Sequence, residues 1–119
     1  MISIEDFKKI DLVVGKILSA EKILDTDKLL KLSVDLGPAP LLAGEEPHRD
    51  IRQIVSGIAI YFPDCSVLVG KKCMFVANLE PRIIRGVESQ GMICAVSTED
   101  GLFSLLEPKD EIPAGTHAK

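Results

Sequence analysis

Seven residues restrict the fold more than any others. From Leu30 to Leu36 the chain reads Leu-Lys-Leu-Ser-Val-Asp-Leu, with apolar and polar side chains in strict alternation. A period of two sends alternate side chains to opposite faces of an extended chain. This segment is therefore a strand with Leu30, Leu32, Val34 and Leu36 turned inward and Lys31 on the wet face. Such a strand needs partners that bury the same face. With 119 residues, 46% of them hydrophobic, the chain has material for one core and one domain, residues 1–119.

The flanking segments supply the partners. Ser3-Ile-Glu-Asp6 carries a helix-capping pattern, which predicts a short helix over residues 4–9 with Ile4, Phe7 and Ile10 on one side. Ile10 to Leu18 is rich in β-branched residues and reads as a strand, and Gly15 inside it predicts a bulge or sharp bend. Asp25-Thr-Asp27 is a turn. Residues 37–50, with three prolines and a Gly-Glu-Glu run, form a long loop. Ile51 to Ile60 is a third strand, broken by Tyr61-Phe-Pro-Asp64. Cys65 to Val69 has room for one or two helical turns before Gly70. Lys71 to Leu79 is a fourth strand, apolar on both faces and so covered on both sides, and Pro81 ends it. Gly91 to Val96 is a fifth, and Leu102 to Leu106 a short sixth after the Glu99-Asp-Gly101 turn. Residues 107–119 form a polar C-terminal tail. The order predicts an all-β protein, a five-stranded OB-fold barrel with a short helix between strands 3 and 4 and short terminal segments.

Signs of catalysis are lacking. His48 and His117 have no neighbouring nucleophile and no metal-ligand spacing, and Gly70-Lys-Lys72 lacks the preceding glycine of a phosphate loop. Cys65, Cys73 and Cys94 are odd in number and none is paired as C-x-x-C, so neither a disulfide framework nor a zinc site is expected. No enzyme activity, cofactor or metal is expected. No apolar run approaches 18 residues, and the first residues lack the basic and apolar regions of a secretion signal. The expected compartment is the cytoplasm.

The formal net charge of −4 argues against a general polyanion binder. Its distribution changes the argument. Residues 1–87 hold twelve acids and twelve bases, and residues 88–119 hold six acids and two bases. Between Lys71 and Gly86, Lys71, Lys72, Arg82 and Arg85 face one acid, Glu80. A local basic patch of this kind can bind phosphates on an acidic chain.

Five segments, in order, carry a resemblance. They are Lys28-Leu-Leu-Lys-Leu-Ser-Val-Asp-Leu-Gly37, Arg52-Gln-Ile-Val-Ser-Gly-Ile58, Val69-Gly-Lys71, Ala77-Asn-Leu-Glu-Pro-Arg82 and Gly86-Val-Glu-Ser-Gln-Gly-Met92. Together they resemble the bacterial tRNA-binding domain family, which includes the C-terminal domain of methionyl-tRNA synthetase, free-standing tRNA-binding proteins and domains like endothelial monocyte-activating polypeptide. The resemblance implies an OB-fold, usually a homodimer built through its terminal segments. It also implies non-catalytic binding of tRNA by shape, as a free-standing or synthetase-associated accessory. A protein-binding module like the secretion chaperones built on the same barrel is the alternative. Two departures stand out: Val13 where the family usually has arginine, and the long 37–50 link with its Glu45 and Glu46.

The stretch from Asn78 to Met92 is the expected contact surface. Asn78 offers an amide to phosphate, 2′-hydroxyl or base edge, with a cap on the following turn as the alternative. Arg82 and Arg85 offer planar forks suited to phosphate. Ser89 and Gln90 offer polar contacts, Gly91 an open approach to the main chain, and Met92 a polarizable surface. By composition alone Met92 is more often a core residue; the resemblance implies that Ser89 and Met92 both lie at the RNA site. Lys28, Lys31 and Arg52 are further phosphate candidates. Aromatics are limited to Phe7, Tyr61, Phe62, Phe75 and Phe103, too few for the stacking platforms of a single-strand binder. Folded RNA, read by shape and backbone, is the ligand this composition suits.

Overall fold

The computed structural model describes every residue from Met1 to Lys119. The alternating segment lies in β2, Leu30–Pro38, flanked by β1, Leu12–Lys22, and β3, Arg49–Ser56. With β4, Lys72–Val76, and β7, Met92–Ile93, these strands make one antiparallel sheet in the order β3-β2-β1-β4-β7. The sheet is the curled OB-type half-barrel that the strand order predicts. Two short hairpins are added to it. One joins β5, Arg82–Ile84, to β6, Val87–Ser89, and the other joins β8, Ala95–Ser97, to β9, Phe103–Leu105.

Leu30, Leu32 and Val34 are fully buried, and so are Ile17, Ile54, Leu68, Cys73 and Phe75. Burying a side chain of this size contributes about 1.5–3 kcal/mol, so these inward residues are the main source of stability. The sheet curls around β1. Residues Leu12–Lys16 pair with β4, and Lys16–Lys22 pair with β2. The predicted bulge is present between Ile17 and Ser19, beyond Gly15. Gly15 does a different job: a Cβ there would lie 2.6 Å from Phe75, 2.7 Å from Val34 and 2.8 Å from Leu36. Its bare Cα lets three core side chains converge where the strand changes partners.

Other expectations shift in detail. The capping box at Ser3 is formed, but the helix α1 spans only Ile4–Phe7. Phe7 is half-buried, while Ile4 and Ile10 remain exposed, since so short a helix has no face long enough to pack. In place of one helix between strands 3 and 4 there are two 3₁₀ turns, Ala59–Tyr61 and Cys65–Leu68, separated by Pro63. On β4, Cys73 and Phe75 are buried but Met74 and Val76 are only half-covered. The fifth strand is interrupted at Cys94, and Ala95–Ser97 turns away to pair with β9.

The polar tail is not loose. Thr116 O accepts from Val14 N at 2.9 Å, and Gly115 N and Ala118 N donate to Val14 O and Leu12 O at 2.8 Å each. Val13 is buried, lies opposite Phe75 in the ladder and bridges to His117 on its other edge. The long link is drawn in at its base, where Arg49 Nε donates to both oxygens of Asp35 at 3.2 Å.

Gly15→Ala is expected to lower stability by about 1–3 kcal/mol through overpacking. Gly57→Ala, where an added Cβ meets nothing within 4 Å, should shift it by less than about 0.5 kcal/mol. Denaturant unfolding of both variants checks the contrast.

Candidate functional site

The β5–β6 hairpin is made by its turn. Only Arg85 and Gly86 separate the paired residues Ile84 and Val87, with φ of +52° and +80°. Two successive positive φ values suit the hairpin turn that follows strand twist, where Asn-Gly and Asp-Gly are the usual occupants. An arginine held there costs about 1–3 kcal/mol of backbone strain.

Two clefts are lined by residues of this hairpin, and a third by Gln90 just after it. One, about 430 Å³, lies at its base and is lined by Leu79, Glu80, Pro81, Arg82, Ser89, Gly91 and Met92. A second, about 360 Å³, lies where Asp25 to Leu29 of the β1–β2 turn meet Ile84 and Arg85. The third, about 300 Å³, lies over the outer face of the sheet, with Ser19, Lys31, Ser33, Ile51, Arg52, Gln53 and Gln90 among its walls. Residues 39–48 line none of the three, and no aromatic side chain does. Phe75 is in the core, and Tyr61 stacks on Phe103 at 3.9 Å beside a separate cleft.

The expected site residues fall into two groups. Lys28, Arg82, Arg85 and Met92 present free side chains at the clefts. The three cations make no ion pair and no side-chain hydrogen bond, and Met92 is 46% exposed. Lys31 is on the outer face as expected, but its ammonium lies 2.6 Å from Glu21. Asn78, Ser89, Gln90 and Arg52 turn their polar groups into the protein. Asn78 Oδ1 accepts from Asp11 N at 2.8 Å and its Nδ2 donates to Lys9 O at 2.6 Å, which pins the end of β4 to the start of β1. Ser89 is buried, and its hydroxyl accepts from Val55 N at 2.9 Å and donates to Gly91 O at 3.1 Å. Gln90 Oε1 accepts from Gln53 N at 3.0 Å, while Gln90 N donates to Gln53 O at 2.8 Å. Arg52 donates to Asp50, Ala77 O and Gln90 O.

The Ser89 and Gln90 bonds close one seam. The far edge of β3 is paired with no strand of the sheet, and Ser89 and Gln90 satisfy its backbone N–H groups with their side chains. Gly91 serves the same seam, since a Cβ on it would meet Val76 O at 3.1 Å and Ile54 at 3.2 Å. Its smallness serves internal packing more directly than an approach by RNA. Two residues of this surface were missed by sequence reading. Gln53 Nε2 donates to Glu88 O at 2.8 Å, and Ile83 stands 68% exposed on the hairpin. The Ile-Ile-Arg-Gly-Val pattern, a turn pair between β-formers, carried the signal for the hairpin.

Two of the three cysteines are shifted by burial. Burial pushes the Cys73 thiol up to about 12, with the Glu107 charge adding to the effect and Lys71 opposing it. Burial also raises Cys94. Thiols so shifted carry little thiolate at neutral pH. No three His, Cys, Asp or Glu side chains are grouped to hold a metal ion.

The small OB-type barrel thus carries three free cations and an exposed methionine around one hairpin. The chain belongs to the family described as "Putative tRNA binding domain", whose model matches residues 12–117. It is 47% identical over 120 residues to methionine–tRNA ligase of Clostridium tetani, covering 99% of this chain and 17% of that protein. It is 41% identical over 114 residues to the same enzyme of Enterococcus faecalis, covering 96% and 16%. The chain thus spans about one-sixth of the length of these curated relatives. Among solved structures, a MetRS related protein from Pyrococcus horikoshii is similar with a TM-score of 0.82 and 40% identity, covering 100% of this chain and 98% of that one. The chaperone CsaA of Bacillus anthracis str. Ames is similar with a TM-score of 0.80 and 26% identity, covering 100% and 99%.

Ser89→Ala is expected to cost about 1–3 kcal/mol, because it leaves the Val55 N–H buried without a partner. Faster hydrogen exchange at Val55, measured together with the unfolding midpoint, checks it.

Proposed function

We propose that this domain binds tRNA without catalysing a reaction, as an accessory that works in the cytoplasm alone or attached to an aminoacyl-tRNA synthetase. One observation carries the reading: Lys28, Arg82 and Arg85, unpaired and exposed, border adjoining clefts around one hairpin on a domain of the tRNA-binding family. Phosphate contacts fall to these three, with Lys31 able to join if it exchanges Glu21 for phosphate. Met92 packs against a ribose or base. Asn78, Ser89 and Gln90 hold the backbone that displays them. The strain at Arg85 supports a functional reason for its charge, since a residue kept at a costly φ persists where it is needed.

The ligand is folded RNA. The clefts hold no aromatic platform for unpaired bases, and the free groups are donors suited to phosphates and 2′-hydroxyls. The similarity to the chaperone CsaA favours a second reading, a protein-binding module, for which the cleft of about 420 Å³ beside Tyr61, Phe62, Leu102 and Phe103 would serve. Exposed Ile4 and Leu102, at opposite ends of the sequence, also suit a homodimer.

Arg85→Asn separates the readings. Asparagine tolerates positive φ, so the hairpin should not lose stability. Binding isotherms for unmodified tRNA at several salt concentrations should show weaker binding and a salt slope shallower by about one unit. Equal binding of tRNA and short single-stranded RNA, or unchanged binding in the variant, would go against the proposal. Sedimentation at micromolar concentration should give twice the mass of one chain.

A further inference from the structure

Arg52 looks like a phosphate ligand by its place in the outer-face cleft, beside Lys31, Gln53 and Gln90. Its bonding says otherwise. A guanidinium has five N–H donors in a rigid fork. Nε and Nη2 donate to the two oxygens of Asp50 at 3.1 and 3.0 Å. Nη1 donates to Ala77 O, and to Gln90 O at 3.2 Å. The pair is only 28% exposed on each side chain, so the carboxylate largely offsets the charge. Little donor capacity and little net charge remain for RNA.

What the fork grips is more telling. Ala77 lies just past the end of β4, and Gln90 lies just before β7. Everything between them, residues 78–89, is the excursion that carries the arginine hairpin. One side chain on β3 therefore ties together the two feet of that excursion. Asp50, the partner that aims the fork, lies two residues away on the same strand.

We propose that Arg52, aimed by Asp50, is a positioning residue for tRNA: it clasps the base of the hairpin and sets the stance of Arg82 and Arg85 over the sheet. This rests on the tRNA-binding reading above. Lysine cannot replace the clasp, because a single ammonium cannot grip the carboxylate and two carbonyls in one plane.

Asp50→Asn gives the deciding sign. If Arg52 were a phosphate ligand restrained by Asp50, the substitution would free its charge, tighten tRNA binding and steepen the salt dependence. If Arg52 is a clasp, the same substitution loosens the hairpin and weakens binding. Full-length wild type, Asp50→Asn, Arg52→Gln and Ile17→Val are compared by tRNA isotherms at several salt concentrations, well below their melting temperatures. Hydrogen exchange over residues 82–89 is followed in parallel. Ile17→Val loses stability in the core away from the seam and controls for a general effect.

Asp50→Asn and Arg52→Gln should each weaken binding by about tenfold, the scale of one charge-assisted hydrogen bond. Their salt slopes should match wild type, their hairpins should exchange faster, and Ile17→Val should bind as wild type does. Tighter binding by Asp50→Asn, or a slope about one unit shallower in Arg52→Gln, overturns the proposal in favour of direct phosphate contact. Wild-type affinity in both seam variants also overturns it, leaving the tRNA reading intact. Wild type that fails to bind tRNA removes that reading and this inference with it.

Discussion

The seam between β3 and the Ser89–Gln90 segment is the constraint on which the rest depends. A sheet curled far enough to enclose a core must settle the backbone donors along its last edge. Here no strand arrives in register to do so. Ser89 Oγ and Gln90 Oε1 accept from Val55 N and Gln53 N, and Gln90 N returns a bond to Gln53 O. Side-chain oxygens thus stand where carbonyls of a paired strand would be. Leaving such groups buried and unpaired would cost about 1–3 kcal/mol each, which makes polar residues obligatory at this place.

Closure at the seam also decides what the surface can offer. The segment that closes the barrel runs straight out of the β5–β6 hairpin, so the seam anchors the hairpin's stem. The opposite structural requirement is met at Gly15, where β1 changes neighbours from β4 to β2 and three core side chains converge on a bare Cα. Tight curvature at one place and polar closure at the other set the sheet's shape. The free cations Lys28, Arg82 and Arg85 then fall on the β1–β2 turn and the β5–β6 hairpin.

The acidic total charge is compatible with this arrangement because ion pairing is uneven. Arg49 and Arg52 are held by acids on their own or the adjacent strand, and Lys31 and Lys71 by Glu21 and Glu107. Lys28, Arg82 and Arg85 stay unpaired. Charges beyond about 10 Å are screened at moderate salt, so the field at these clefts is set by their own charged side chains, Lys28, Arg82 and Arg85 together with Asp25, Asp27 and Glu80, more than by the sum over the chain.

The alternation from Leu30 to Leu36 was legible as a half-buried strand because period two leaves no other way to bury one face. The five-stranded barrel order and the family followed from strand spacing and from motifs such as Glu-Ser-Gln-Gly-Met, and the folded protein agrees with both. The two arginines of the hairpin could also be read locally, since a turn pair between β-formers exposes what it carries. The roles of Asn78, Ser89, Gln90 and Arg52 could not. Each is a polar residue near a basic patch, and only the packed chain brings Lys9, Asp11, Gln53, Val55 and Ala77 within hydrogen-bond reach of them. Local periodicity determines which face of a strand is wet. Whether a polar side chain on that surface is free for a ligand depends on partners 25 to 69 residues away in sequence, and only tertiary structure decides that.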